Sequence, residues 1–309
     1  MGYCAVRLCF VIFRGKIPNS FMKTLLPFLF LILLIGCKND PKNEADSNLD
    51  VPPEGVTSPQ RIDDKDFDQK QHIFNLKRQE LVSKKDQKDE LDNLVISKSI
   101  FKETEGYLMD FQYPYLNPEL DPVYNNFNTY INKHYLDIKE IEKQIREEKR
   151  LCDSLGLPKE TEKRIIEYKI YNLNDQLISV LLYKENHYTG AAHASYTFES
   201  LNFDLVKGDF LKYEDFFNEG TEEELRTILN NLLKEKINSG DMYYDCWAIS
   251  SNDFMHSKNN FVLNENSVEY YFDDCVICPS YTGTYSIQIP IDSLKTVLRK
   301  GENNPLKTN

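Results

Sequence analysis

From Tyr107 to Pro290 the apolar residues switch repeatedly between a period of two and a period of three to four, and strands and helices do not alternate in a repeating βαβ rhythm. That pattern restricts the chain to an α+β fold with a mixed, mainly antiparallel sheet and two longer amphipathic helices packed on it. Tyr107, Met109, Phe111 and Tyr113 alternate with Leu108, Asp110 and Gln112 and stop at Pro114, which predicts a half-buried strand. Asp121 is placed to cap a helix with Pro122 in its first turn. Val123, Phe127, Tyr130, Ile131, His134 and Ile138 share one face of that helix. His134 is expected at the edge of the core. Residues 139–164 are highly charged, contain Gly156-Leu157-Pro158, and read as helix, turn and helix start.

Ile165 to Tyr171 and Leu177 to Tyr183 read as strands around a turn at 172–175. A further strand runs from Tyr196 to Leu205. Tyr196 and Phe198 share one parity and Leu201, Phe203 and Leu205 the other, which predicts a bulge near Glu199-Ser200. Lys207-Gly208-Asp209 reads as a tight turn into Phe210. Thr221 with Glu224 matches a capping box, and Leu225, Ile228, Leu229, Leu232, Leu233 and Ile237 form the apolar stripe behind it, ended by Gly240. Alternation returns at 261–263, 268–272 and 285–289, with a short helix expected from Ser293.

The N-terminus constrains the compartment. Met22 to Cys37 reads MKTLLPFLFLILLIGC: one cation, an apolar run too short to span a bilayer, and Leu34-Ile35-Gly36-Cys37 in the pattern of a bacterial lipobox. Cys37 is the expected lipidation site, residues 1–37 the export signal, and residues 1–21 an upstream start ahead of the true one at Met22. A membrane-anchored lipoprotein facing the periplasm or cell exterior follows. Residues 38–90 are polar and poor in large apolar side chains, so they are expected to act as a tether. Residues 91–299 form the expected domain and 300–309 a tail.

The net charge is −12, and removing 1–37 deepens it, because Arg7, Arg14, Lys16 and Lys23 leave and no acid does. That balance argues against a nucleic-acid partner. It suits solubility, or the steering of a cationic partner.

His187 and His193 lie six apart across Thr189-Gly190-Ala191-Ala192. No third ligand completes a zinc set, so no metal is expected. Cys152, Cys246, Cys275 and Cys278 remain beside Cys37 in a compartment that permits disulfides. Cys275 and Cys278 have CxxC spacing, yet their flanks read as strand and loop, not as the helix N-terminus a redox site needs. The expected bridge joins Cys246 to Cys275 or Cys278. There is no P-loop, no GxGxxG and no GxSxG. A wall-acting hydrolase would need two carboxylates at a working separation, and no pair stands out. No cofactor and no enzymatic activity are expected.

The stretch YTGAAHASYTFESLNFDLVKGDFLKYEDFF, with FVLNENSVEYYFDDCVICPSYTGTYSIQIPIDSLK at 261–295, resembles the extracytoplasmic domain shared by RsiV-like anti-sigma factors and PdaC-like peptidoglycan deacetylases. The resemblance covers roughly residues 95–299. It implies lysozyme binding, as in RsiV-like proteins, or a wall-associated role beside a separate deacetylase domain. This chain is expected to lack that deacetylase domain, the anti-sigma segment and a transmembrane helix. It departs locally as well: Ala191-Ala192 replaces a glycine before His193, and two cysteines occupy the 275–281 stretch. The expected function is a lipid-anchored envelope module that recognises a lysozyme-like muramidase or cell-wall glycan. The alternative is a structural subunit of an envelope complex. The expected ligand-binding residues are His187, Thr189, Gly190, His193, Tyr196 and Tyr281.

Overall fold

The computed structural model describes residues 93–154, 161–174, 176–188, 191, 194–264, 266–300, 304 and 306. The export signal, Cys37, most of the tether and the Gly-Leu-Pro turn lie outside them.

Six strands form one sheet in sequence order: β1 Val95–Glu103, β2 Tyr107–Leu116, β3 Glu162–Asn174, β4 Leu177–His187, β5 Ser195–Asp204 and β6 Asp209–Leu211. Only β2 and β3 pair in parallel. Parallel neighbours need a long crossover, and α1 Asn125–Tyr135 with α2 Ile138–Ser154 supply it. As expected, Asp121 accepts from the Val123 amide at 2.9 Å, with Pro122 next to it. This cap holds a single 3₁₀ turn that leads into α1. Gly208 sits at φ +73° in the turn before β6, where an added Cβ would lie 2.1 Å from Val123 Cγ2. Its lack of a side chain lets that turn lie against the helix entry, and Asn126 Nδ2 donates to its carbonyl at 3.0 Å.

A second, three-stranded sheet holds β7 Phe261–Asn264, β8 Ser267–Tyr271 and β9 Ser286–Pro290. Between the sheets in sequence come α3 Tyr213–Phe216, α4 Glu222–Ser239 and α5 Ser251–Ser257. The result is four layers. Helices α1 and α2 cover one face of the large sheet through Phe127, Ile131, Ile166, Val180 and Phe203. The other face meets the small sheet through Leu181, Tyr183, Phe198, Val262 and Tyr271. The small sheet's far face packs on Leu225, Leu229 and Leu233 of α4. Buried polar groups stitch the sheets: Asn202 Nδ2 donates to the Phe261 carbonyl at 2.9 Å, and the Leu263 amide to Ser179 Oγ at 3.1 Å. Each such group costs free energy if left without a partner, so these bonds fix the relative position of the layers.

Several expectations are corrected. Strand β5 holds unbroken register with β4 from Leu177↔Asp204 to Asn186↔Ser195, so there is no bulge at Glu199-Ser200. The change of parity arises because both faces of β5 are buried, one under α1 and the other under the small sheet. A shift occurs in β3 instead, between Asn172 and Asn174. Residues 162–164 begin β3, not a helix, and the charged stretch 138–154 is the helix α2, so among the described residues the longer helices number three. His134 is exposed and stacks on Tyr130, 4.3 Å between ring centres. Thr221 makes no capping hydrogen bond, because its hydroxyl donates to the Asn218 carbonyl at 2.6 Å and lies 2.9 Å from Tyr213 Oη. The closing helix is one 3₁₀ turn, Ile291–Leu294. Gly240 does end α4, at φ +82°.

The buried tyrosines give the fold an alkaline limit. Burial pushes the Tyr213 phenol up to about 12, and raises Tyr270, Tyr271 and Tyr285 as well. A raised folded-state pKa means that only the unfolded chain ionises first. The contribution is therefore intact below the unfolded value of about 10 and is lost as pH rises from there toward 12. Exposed tyrosines such as Tyr244 ionise first, so the last part of the phenolate absorbance rise should coincide with the loss of circular dichroism above pH ~10, and complete phenolate formation with the fold intact would refute this.

Candidate functional site

The hairpin β4–β5 places the first group of expected residues. His187 ends β4, half-buried, with Nε2 2.7 Å from Glu185 Oε1. Glu185 is buried, and its other oxygen accepts from Tyr183 Oη at 2.9 Å. On the opposite face, Arg164 Nη2 reaches Glu148 at 2.6 Å and Glu162 at 2.8 Å, and its guanidinium lies over the Tyr188 ring. The hairpin end is thus a set of satisfied charges. Thr189, Gly190 and His193 lie outside the described residues.

Tyr196 is 6% exposed. Its ring packs between Tyr183 and Tyr285, with centroids 6.0 and 5.8 Å away, so it serves as core and not as an exposed contact. The two stretches singled out from the sequence do meet here: the Asp274 amide donates to the Tyr196 carbonyl at 3.0 Å. Tyr281 lies in the 3₁₀ turn Ser280–Thr282, and its side chain is outside the described residues. Cys246 pairs with Cys278, Cα atoms 4.1 Å apart, and Cys275 is not in the bridge. Cys275 has φ 61°, the one positive value among described non-glycine residues, so local strain sits beside the disulfide. Among the described residues no group of three His, Cys, Asp or Glu could hold a metal ion.

Tyr285 Oη is buried beside the Ser280 hydroxyl, which donates to Asp274 Oδ2 at 2.9 Å.

The cavity that matters was not legible in the sequence. A groove of about 380 Å³ follows the outer edge of β5, between Tyr130 and Tyr135 of α1 on one side and Asp253, His256 and Asn259 on the other. Its floor is a sheet edge closed by side chains. Asp273 Oδ1 accepts from the Phe198 amide at 3.0 Å, and Asn260 accepts from the Ser200 amide at 2.7 Å and donates to the Phe198 carbonyl at 2.8 Å. The lining carboxylates are engaged by the fold. Tyr135 Oη donates to Glu199 at 2.5 Å with Lys184 on the other oxygen, and Asp253 accepts from Ser250 at 2.6 Å. His256 Nδ1 lies 2.7 Å from the Asn252 carbonyl, which can only accept, so Nε2 is the acceptor of the neutral ring. The lining comes from α1, β5, α5 and the 273–276 loop, and no single motif spans them.

Residues 204–292 match the family described as "Protein of unknown function (DUF3298)". Peptidoglycan-N-acetylmuramic acid deacetylase PdaC of Bacillus subtilis (strain 168) is 24% identical over 234 residues, 74% of this chain and 47% of that protein. The chain carries the domain shared with PdaC-like proteins. It spans about half the length of that curated relative. A crystal structure of a DUF3298 family member from Bacteroides fragilis NCTC 9343 is 19% identical, with a TM-score of 0.49, covering 67% of this chain and 95% of that one. A second, from Pseudomonas aeruginosa PAO1, is 16% identical, with a TM-score of 0.46, covering 68% and 94%. In this chain the DUF3298 match takes in α4, the disulfide and the small sheet, while the β4–β5 hairpin precedes it.

Proposed function

We propose that this chain is an envelope module, tethered by lipid at Cys37, that holds cell-wall glycan in the groove along β5. The observation that carries the reading is the groove's lining: His256, Ser257 and Asn259 stand as hydrogen-bonding groups beside Tyr130. Amides, hydroxyls and an imidazole can meet the hydroxyls of a sugar, while Tyr135, 6% exposed with Lys184 over its ring, belongs to the core. The relation to a protein named for peptidoglycan deacetylation agrees with that ligand. The carboxylates in the groove are held as structural acceptors, which favours binding over hydrolysis. No helix among the described residues is long and apolar enough to cross a membrane. The net charge of −12 favours a second reading, a basic lysozyme-like muramidase as the partner.

The test is co-sedimentation of the purified chain with peptidoglycan sacculi, beside calorimetric titration with a c-type lysozyme. Sedimentation that His256→Ala weakens supports glycan. Heat with lysozyme and no sedimentation supports the muramidase. Neither result would move the role to a structural subunit of an envelope complex.

A further inference from the structure

A third cysteine stands beside the disulfide that ties two loops together. Cys246, in the loop between α4 and α5, is bonded to Cys278. Cys275 precedes Cys278 on the same loop, and among the described residues it is the cysteine outside a bridge. The bridge is enclosed, with Cys246 7% exposed and Cys278 2% exposed, whereas Cys275 is half-buried and within reach of solvent. The chain bends at Val276 and Ile277, which keeps Cys275 and Cys278 on one tight loop. Cys275 holds a φ of 61°, a conformation that few side chains adopt, and strain of this kind collects at switch regions. Its thiol donates to Asp274 Oδ1 at 3.8 Å. A carboxylate there opposes ionisation of the thiol, which keeps the nucleophilic form scarce.

Exchange among these three cysteines needs no oxidant, because a thiolate displaces one sulfur of a disulfide by attacking the other. We propose that Cys275 is the attacking thiol of an internal exchange that moves the bridge from Cys246–Cys278 to Cys275–Cys278. The Cys275 thiol gives its proton to solvent. Its thiolate forms the new S–S bond at Cys278 Sγ, the old bond breaks, and Cys246 leaves as a thiolate that takes up a proton from solvent. The numbers of thiols and disulfides are unchanged. What changes is the tether. Before exchange the bridge spans a sequence separation of 32 residues. Afterwards it closes only the short CxxC loop, and the hold of the α4–α5 loop on the 273–278 loop rests on Trp247. The Trp247 amide donates to the Ile277 carbonyl at 2.9 Å and its indole Nε1 to the Val276 carbonyl at 2.8 Å. Asp273 and Val276 line the groove along β5, so the exchange loosens the frame of that groove's wall, whatever the groove binds.

The full chain is incubated in mildly alkaline buffer, sampled by alkylation with N-ethylmaleimide and digested with trypsin. Trypsin cuts after Lys236, Lys258 and Lys295, and no Lys or Arg lies between them, so Cys246 falls in one peptide and Cys275 with Cys278 in the next. At the start the two peptides are joined and Cys275 carries the label. Within hours, the range of uncatalysed disulfide rearrangement, Cys246 should carry it, the 237–258 peptide should come free, and 259–295 should hold an internal bridge. The rate should not depend on protein concentration. Fluorescence of Trp247, the single tryptophan, should change with the same time course. Cys275→Ser should abolish the exchange with circular dichroism unchanged, and so should alkylation of Cys275 before the incubation. Label that stays on Cys275 overturns the proposal. Label on Cys246 in Cys275→Ser, or a rate that rises with concentration, overturns it by assigning the attack to another thiol. Label on Cys278 with the peptides still joined overturns it by moving the bridge to Cys246–Cys275.

Discussion

Arg164→Met should destabilise the domain by roughly 3–5 kcal/mol, the cost of breaking a buried ion pair from one side. The Arg164 side chain is 10% exposed, and Glu162 beside it is 1% exposed. The guanidinium bridges Glu162 on β3 and Glu148 on α2, and also donates to the His187 carbonyl at 3.3 Å. It therefore ties the crossover helix, the start of β3 and the end of β4 together. Methionine fills similar space but removes the cation that Glu162 and Glu148 share. Glu162→Gln in the same chain should restore part of the loss, which separates charge burial from packing. Denaturant midpoints for the two single variants and the double variant form the cycle. A single-variant loss below about 1 kcal/mol would show that water reaches Glu162 and that the pair is not structural.

Cys246→Ser with Cys278→Ser should cost about 3–4 kcal/mol. The bridge closes a segment of 32 residues, and cross-linking a loop of that length removes unfolded-state entropy of this size. The same segment contains α5, β7 and β8, so the constraint acts on two of the small sheet's three strands. Thermal unfolding of oxidised and reduced wild type, compared with the double-serine variant, measures it. Identical midpoints for oxidised and reduced protein would mean that the surrounding packing already fixes the loop.

How much of this was legible depended on whether one element carried the signal. The stripe of α4 buries one face in a regular period and the structure follows it; the alternations at Tyr107 and Val268 do form strands, but β2 runs on through Pro114 to Leu116 and β8 buries Tyr271 as well as Val268 and Tyr270. Strand β1 escaped notice because it is a sheet edge, with Phe101 63% exposed and most of its other residues polar or outward-facing. The β5 parity is visible in the sequence, yet one strand cannot announce that two different layers cover it. Thr221 and Glu224 matched a motif whose hydroxyl found a nearer partner in Asn218. The hairpin histidines drew attention through residue type, yet His187 is tied to Glu185 and Tyr196 is core. The groove needs residues from 130 to 276 brought to one place, which only the fold supplies.

The closed edge of β5 has a consequence for assembly. At that end of the large sheet, side chains of Asp273 and Asn260 occupy the backbone groups that a neighbouring strand would pair with, and β6 adds only three residues. At the other end, no strand among the described residues lies outside β1. A sheet with one sealed end is a terminator. If two copies meet β1 to β1, each uses up the long outer edge of its large sheet, and the pair is closed by two-fold symmetry.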